Sequence, residues 1–258
     1  INVSALHNKN QLKYIYDTFT SWNEKQDEEK NQDPTQETYN SQSLKDAYTR
    51  PSTYFYEGQT MTSIRGVRSL GIDPVTGQEM FIDRNGNSTF TWSTADQTVI
   101  GDATPKLRGN IGFNAGYKGF TFAVACSYKF GGDLYNTTLI DKVENVTGYD
   151  NLDRRILQSW RNVGDVSPYR VLTVTAGAAE VYTKPTSRFV QKDNELYVSS
   201  LNIGYDFQGK EWMKRMKVDR LRCSFYMNEL LRMSSLTLER GTSYPFARNF
   251  SFMVQATF

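Results

Sequence analysis

The chain has 258 residues, a formal net charge of +2, 22% charged residues and 38% hydrophobic residues. Its mean hydropathy is −0.58 and no run approaches the ~18 apolar residues of a membrane helix, which excludes a helical membrane protein. The near-neutral balance also lacks the concentrated basic face that nucleic acid requires.

Apolar residues alternate at the start of the chain, over 1–8, where Ile1, Val3 and Ala5 oppose Asn2 and Ser4. This is the strand period. The sequence opens on Ile1, already in strand pattern and without a signal peptide, so processing or fragmentation is expected to have removed what came before. A long connection is expected over 9–105. Within it Leu12, Ile15, Tyr16, Phe19 and Trp22 recur at helical spacing, while 23–36, rich in Glu, Lys, Gln and Asp, reads as solvated and mobile. Met80-Phe-Ile-Asp-Arg-Asn-Gly-Asn-Ser-Thr-Phe-Thr-Trp92 reads as a hairpin turning at Asn85-Gly86. Asp83, Asn85 and Asn87 have calcium-loop spacing, but glycine falls at the fourth position instead of the sixth and no bidentate Glu follows. A plain turn is the expectation there, with no metal.

Strands are expected next at 107–117 and 120–131. Ile111, Phe113, Ala115 and Tyr117 form the apolar stripe of the first; Phe120, Phe122, Val124, Cys126, Tyr128 and Phe130 form that of the second. Gly109, Gly112 and Gly116 lie inside the first of these strands and suggest close packing rather than a phosphate cradle. A second long connection spans 132–194, with Leu152, Ile156 and Trp160 at helical spacing and Asp150 or Asn151 as the cap. Strands follow at 196–207 (Tyr197, Leu201, Ile203, Tyr205, Phe207) and 218–230 (Leu221, Cys223, Phe225, Met227), then a connection over 232–246. The last strand, 247–258, alternates Phe250, Phe252, Val254, Ala256 and Phe258 and ends there. A closing strand of this kind is natural for a membrane barrel, where it seals against the first. Cys126 and Cys223 lie in strands without metal-type spacing and read as small apolar fillers, with no disulfide between them.

Alternation alone fits a soluble sandwich as well as a barrel. Three features favour the barrel. Aromatics (14% of the chain) cluster at strand ends, as interfacial girdles require. Arg108, Lys129, Asp206, Arg220 and Arg222 all fall on the mixed face, and Arg248, which breaks the parity, lies near the rim. Tight turns (117–120 and 208–217) alternate with long connections, as in outer-membrane barrels.

No catalytic constellation is present in the sequence. His7 is the one histidine, at a strand end, and neither a zinc cluster nor a nucleotide-binding glycine pattern occurs. No enzyme activity, cofactor or catalytic residue is therefore expected. For solute recognition the candidates are the loop aromatics Trp92, Tyr149, Trp160 and Tyr182, for stacking and directional hydrogen bonds, and the lumen-facing Arg220 and Arg222 for an anionic group. Salt bridges to neighbouring strands or a plug are the plainer role for the two arginines.

With these segments placed, the chain resembles the C-terminal part of a SusC/RagA-family TonB-dependent outer-membrane transporter. The motifs run in order: Tyr56-Glu-Gly-Gln59, Leu70-Gly-Ile-Asp-Pro-Val-Thr-Gly-Gln-Glu79, Ile100-Gly-Asp-Ala-Thr-Pro-Lys106, Tyr117-Lys-Gly-Phe-Thr-Phe122 and Gly131-Gly-Asp-Leu-Tyr-Asn136. Asp153-Arg-Arg-Ile-Leu-Gln-Ser-Trp-Arg161 with Gly164-Asp165 follows, its Trp160-Arg161 inverting the family's usual Arg-Trp order, and Leu238-Glu-Arg-Gly-Thr-Ser-Tyr-Pro-Phe-Ala-Arg248 completes the set. The resemblance implies an all-β fold: six antiparallel strands, the C-terminal ones of a 22-stranded transmembrane barrel. Residues 1–258 would be one barrel segment with extracellular loops at 9–105, 132–194 and 232–246, lacking the plug and the TonB-binding segment. Its implied role is nutrient import, of oligosaccharide or peptide, in the outer membrane of a Gram-negative bacterium of the Bacteroidota type. Implied partners are a SusD-like surface lipoprotein, TonB through the missing N-terminal part, the remainder of the same barrel and outer-membrane lipid. The alternative is a soluble extracellular β-sandwich that binds glycans.

Overall fold

The computed structural model describes residues 1–31, 48–146, 151–172, 182–236 and 249–258. In chain order the strands are β1 (Asn2–Leu6), β2 (Ser63–Gly66), β3 (Arg68–Ile72), β4 (Glu79–Ile82), β5 (Ser88–Thr89), β6 (Thr98–Asp102), β7 (Leu107–Tyr117), β8 (Phe120–Tyr135), β9 (Val190–Gln208), β10 (Arg220–Ser234) and β11 (Asn249–Thr257). Two helices matter below, α1 (Asp17–Asn31) and α2 (Glu211–Arg215). The chain divides into two compact units. One comprises 1–8, 105–132 and 193–258; the other comprises 9–104 and 133–192.

The first unit is a single antiparallel sheet in the order β1-β7-β8-β9-β10-β11. The six strands expected from alternation are these six, and β8, β9 and β10 run longer than the alternation alone marks. Register carries the stripes from strand to strand: Val3 opposes Ile111, Phe113 opposes Val124, and Phe225 opposes both Ile203 and Phe252. β7 and β8 join through a two-residue turn in which Lys118 (φ 46°) and Gly119 (φ 90°) both take left-handed backbone. Positive φ at both central positions is the twist-matched hairpin connection.

Among the described residues of this unit no second sheet covers the apolar stripe. Phe252 is 67% exposed, Phe120 58% and Ile203 41%. A sandwich would bury these side chains in a dry centre; here they form an outward apolar surface, which removes the structural basis of the soluble alternative. Along β8 the stripe runs from Phe120 to Phe130. At about 3.3 Å per residue and ~40° of tilt it is about 25 Å tall, the height of a barrel's apolar band.

One irregularity interrupts the register. β10 bulges between Asn228 and Leu231, with Glu229 at φ 53°. The extra residue reverses the facing of the strand beyond it. Arg232 consequently lies opposite Tyr197 and pairs with Glu195. The adjacent Leu230 and Leu231, which break alternation, are the local trace of this bulge.

In the second unit β2 pairs β6, while β3, β4 and β5 form a meander. The β4–β5 hairpin turns at the expected place. Asp83 Oδ1 accepts the backbone N–H groups of Asn85 and Asn87, each at 2.8 Å, so the carboxylate serves the turn. A small core joins Leu139, Ile140, Val143, Tyr169 and Phe189.

Three expectations for this unit need correction. The helix begins at Asp17, not at Leu12. Residues ahead of it are held by backbone hydrogen bonds from Leu12 N–H to Gln59 O and from Gly58 N–H to Leu12 O. Residues 23–31, read as solvated, are the body of α1 instead. The Asn23 side-chain amide clamps the backbone of Phe55 in both directions, at 2.7 and 2.9 Å, and buried Lys30 donates to Arg50 O. Residues 32–36 of that stretch lie outside the described residues. Finally, the turn at Arg154–Gln158 is a 3₁₀ turn capped by Asp153, whose carboxylate accepts Arg155 N–H at 2.8 Å. The proposed cap Asp150 lies outside the described residues, and Asn151 does not take the role.

Candidate functional site

The sheet supplies two chemically different faces because its alternation is kept across six strands. Successive side chains point to opposite faces, so the residues between the apolar ones share the other side. Across β9, β10 and β11 that side is read in rows: Asp206, Arg222 and Gln255; Gly204, Ser224 and Met253; Asn202, Tyr226 and Ser251; Ser200, Asn228 and Asn249. Over β7 and β8 it is narrower in profile, with Gly112 opposite Ala125, Asn114 opposite Ala123 and Gly116 opposite Thr121. A Cβ at Gly112 or Gly116 would meet no atom closer than 3.8 Å, so neither glycine is filled from within this sheet. Gly109 differs. It lies on the apolar side, where a Cβ would meet Ser4 O at 1.9 Å and the Tyr128 hydroxyl at 2.6 Å. Tyr128 closes over it and donates to Ser4 O at 3.0 Å.

Several charges on the sheet are paired. Arg220 Nε donates to Asp206 Oδ2 at 2.8 Å, and its terminal nitrogen binds the same carboxylate. Lys129 reaches Asp193 at 2.7 Å and Glu195 at 3.2 Å, while Arg232 takes the other side of Glu195. Arg222, in the row with Asp206 and Gln255, is placed on the polar face by register. The Lys129–Glu195–Arg232 group escaped sequence reasoning because it depends on the bulge.

In the second unit the aromatic candidates have fixed orientations. Trp92 Nε1 donates to Pro185 O at 3.1 Å and Trp160 Nε1 to Pro74 O at 3.0 Å. The Trp160 indole covers Gly77, whose φ of 70° and whose missing Cβ, 2.5 Å from the ring, admit no side chain. Tyr182 is half-buried, and Tyr149 lies outside the described residues. With both indole N–H groups committed to backbone, only ring faces remain for a ligand.

Two buried ionic groups hold this unit and were not anticipated. Glu144 accepts from Arg188 at 2.5 Å and from the Thr183 hydroxyl at 2.7 Å, and Arg188 also binds Glu79 at 2.7 Å. Asn145 Oδ1 ties in Arg170 at 3.0 Å and Thr183 N–H at 2.9 Å. Burial works to raise the Glu144 pKa, but Arg188 and then Arg170 outweigh it and hold the carboxylate below its ordinary range. The second group is Lys184, whose ammonium lies 3.7 Å from the Tyr48 ring centroid and 5.4 Å from that of Trp92. Burial lowers its pKa to about 8, and burial with repulsion from Lys184 brings Lys30 to about 8 as well. These contacts join residues up to 109 positions apart, beyond the reach of local pattern.

Among the described residues no group of His, Cys, Asp and Glu could hold a metal ion, and no helix is long and apolar enough to cross a membrane. No family model matches the sequence. The chain is 28% identical over 157 residues to the TonB-dependent receptor P3 of Formosa agariphila, a match covering 59% of this chain and 15% of that protein. Its fold is similar to part of the RagAB peptide transporter, with TM-score 0.56 at 20% identity over 73% of this chain and 21% of that one. The RagAB peptide importer in its closed-closed state gives TM-score 0.54 at 19% identity, over 70% and 20% respectively. This chain spans about a fifth or less of the length of each relative it matches. Sequence and fold together support a SusC/RagA-like TonB-dependent transporter segment, and these relatives are receptors and transporters, not enzymes.

Proposed function

We propose that this chain is a wall-and-loop segment of an outer-membrane barrel that imports a nutrient, oligosaccharide or peptide, with energy delivered through TonB. The observation that carries the reading is the uncovered apolar stripe, about 25 Å tall, backed by a polar stripe on the opposite face of the same sheet. Six strands do not close a barrel of this size, so the rest of the wall is supplied by further chain. The even strand count puts both ends of the segment on one side. The tight turns then face the periplasm and the connections over 9–105, 132–194 and 232–246 face outward, where a SusD-like lipoprotein would dock.

Solute contact is assigned to the ring faces of Trp92, Tyr149, Trp160 and Tyr182. Arg222 and Arg220 on the polar stripe are assigned to an anionic group of the solute, with Arg220 presented through its Asp206 pair. Similarity to the RagAB peptide transporter and importer favours peptide. The test is carried out on the full-length protein in cells. Carbonate-washed outer membranes should retain it, and uptake of labelled oligopeptide or oligosaccharide should need both the protein and TonB. Release by carbonate would overturn the barrel, and TonB-independent uptake would overturn the import mechanism.

A further inference from the structure

The tight-turn end of the sheet concentrates cations beside aromatic rings. The β7–β8 turn and the 208–219 connection carry Lys118, Lys210, Lys214, Arg215 and Lys217 against the carboxylates Glu211 and Asp219. All five cations are exposed. Asp206 is also close, but Arg220 already neutralises it. The aromatic rings form a connected series: Phe120 and Tyr205 at 4.4 Å, Tyr205 and Phe207 at 4.4 Å, Phe207 and Trp212 at 5.8 Å. Trp212 keeps 42% of its surface exposed while Met213, its neighbour in α2, is buried and anchors the helix. Amphipathic rings with adjacent lysines are the chemistry of a membrane–water interface.

Two further observations point to a ligand. A groove of about 480 Å³ opens here, lined by Tyr117, Lys118, Tyr205, Gln208, Lys210 and the Arg220-paired carboxylate of Asp206. In addition, Lys118 (φ 46°) and Lys217 (φ 54°) hold left-handed backbone that glycine or asparagine would adopt at lower cost. Lysine therefore stands at both turns against local conformational preference.

We propose that this rim is a binding surface for anionic phospholipid, with the headgroup phosphate in the groove between Lys118 and Lys210 and the acyl chains along the Phe120–Tyr205–Phe207 rings. The proposal rests on the barrel reading above and adds lipid selectivity to it. Each lysine within reach of an anionic headgroup is worth about five-fold in partitioning.

The experiment uses full-length protein reconstituted in nanodiscs of equal parts phosphatidylglycerol and phosphatidylcholine, with the co-purifying lipid quantified by native mass spectrometry. The parent should enrich phosphatidylglycerol. The triple variant Lys118→Asn, Lys210→Gln, Lys217→Asn should lose that enrichment by about ten-fold or more. Its unfolding midpoint should be unchanged or raised, because asparagine suits both left-handed positions. Lys25→Gln, an exposed charge on α1, should leave enrichment intact. Incorporation of the triple variant with its enrichment kept within about two-fold would overturn the proposal while leaving the barrel in place. Failure of the parent itself to incorporate would instead remove the barrel reading. Loss of the parent's enrichment on adding inorganic phosphate, at matched ionic strength, would assign the groove to free phosphate and overturn the lipid assignment.

Discussion

Val124→Arg against Ala125→Arg tests the facing of the sheet with two neighbouring residues. Val124 belongs to the apolar stripe of β8, opposite Phe113, four residues from Phe120 and six from Phe130. At about 3.3 Å per residue and ~40° of tilt it sits about 10 Å inside one aromatic belt and about 15 Å inside the other. An arginine near mid-bilayer costs about 2–4 kcal/mol. Extension of its side chain toward the nearer belt offsets part of that, and loss of the valine methyls against Phe113 restores a fraction, so about 2–3 kcal/mol is expected. Ala125 faces the other way, opposite Gly112, which has no side chain and at which an added Cβ would itself meet no atom closer than 3.8 Å. Arginine there enters a polar, uncrowded surface and costs within about 0.5–1 kcal/mol. The gap of about 2 kcal/mol is about thirty-fold in the folded-to-unfolded ratio. Urea unfolding of the full-length protein in lipid vesicles, followed by tryptophan emission, measures it. Equal costs at both positions, or a larger cost at Ala125, would refute the assignment of faces.

Arg188→Met leaves Glu144 buried without its main partner and should cost about 3–5 kcal/mol. Hydrogen exchange should show residues 139–145 losing protection while β7, β10 and β11 keep theirs; unchanged protection at 139–145 would count against the network. Lys30 and Lys184 sit at about 8 in the fold against an ordinary 10.5. Below pH 8 both states carry the charge and the fold bears its burial. Between about 8 and 10.5 the unfolded chain holds more protons, so the lysines' contribution to stability rises with pH. Lys184→Met should flatten that rise and protect α1 more strongly at neutral pH, as read by hydrogen exchange at the two pH values. A steeper rise in the variant would be the wrong sign. Gly77→Ala places a methyl 2.5 Å from the Trp160 ring at φ 70°, and the indole must move. A red-shifted tryptophan emission with at least about 1 kcal/mol of lost stability is expected; an unchanged spectrum would mean that Trp160 does not rest on Gly77.

What the sequence disclosed follows from the range of the forces concerned. Strand alternation is a constraint of period two, repeated over every exposed residue, and it located all six sheet strands. The tight turn at Lys118-Gly119 and the hairpin at Asn85-Gly86 were equally legible, because turn chemistry acts over four residues. α1 was misplaced by five residues, since the apolar period through Leu12, Ile15 and Tyr16 continues into a helix it does not itself form. Its polar half was read as solvated because its partners, Phe55 O and Arg50 O, are backbone groups 32 and 20 residues away that leave no trace in composition.

The same distinction separates what builds the wall from what builds the loops. In the sheet each residue's environment is fixed by its parity and the strands beside it, so one rule serves β7 through β11 until the bulge after Asn228 resets it. Lipid rewards that repetition: an outward face needs only apolar area, and no particular neighbour. The second unit has no such uniform solvent. Its buried charges require named partners: Arg188 meets both Glu79 and Glu144, and Arg170 and Thr183 complete the set around Glu144. Removing one partner therefore unsettles a loop, whereas exchanging one apolar residue for another on the stripe should be nearly neutral. Candidate solute contacts at Trp92 and Trp160 are attached to the demanding kind of structure, with their N–H groups fixed to Pro185 O and Pro74 O. Ring faces held in this way are oriented before any solute arrives, which lowers the ordering cost of binding.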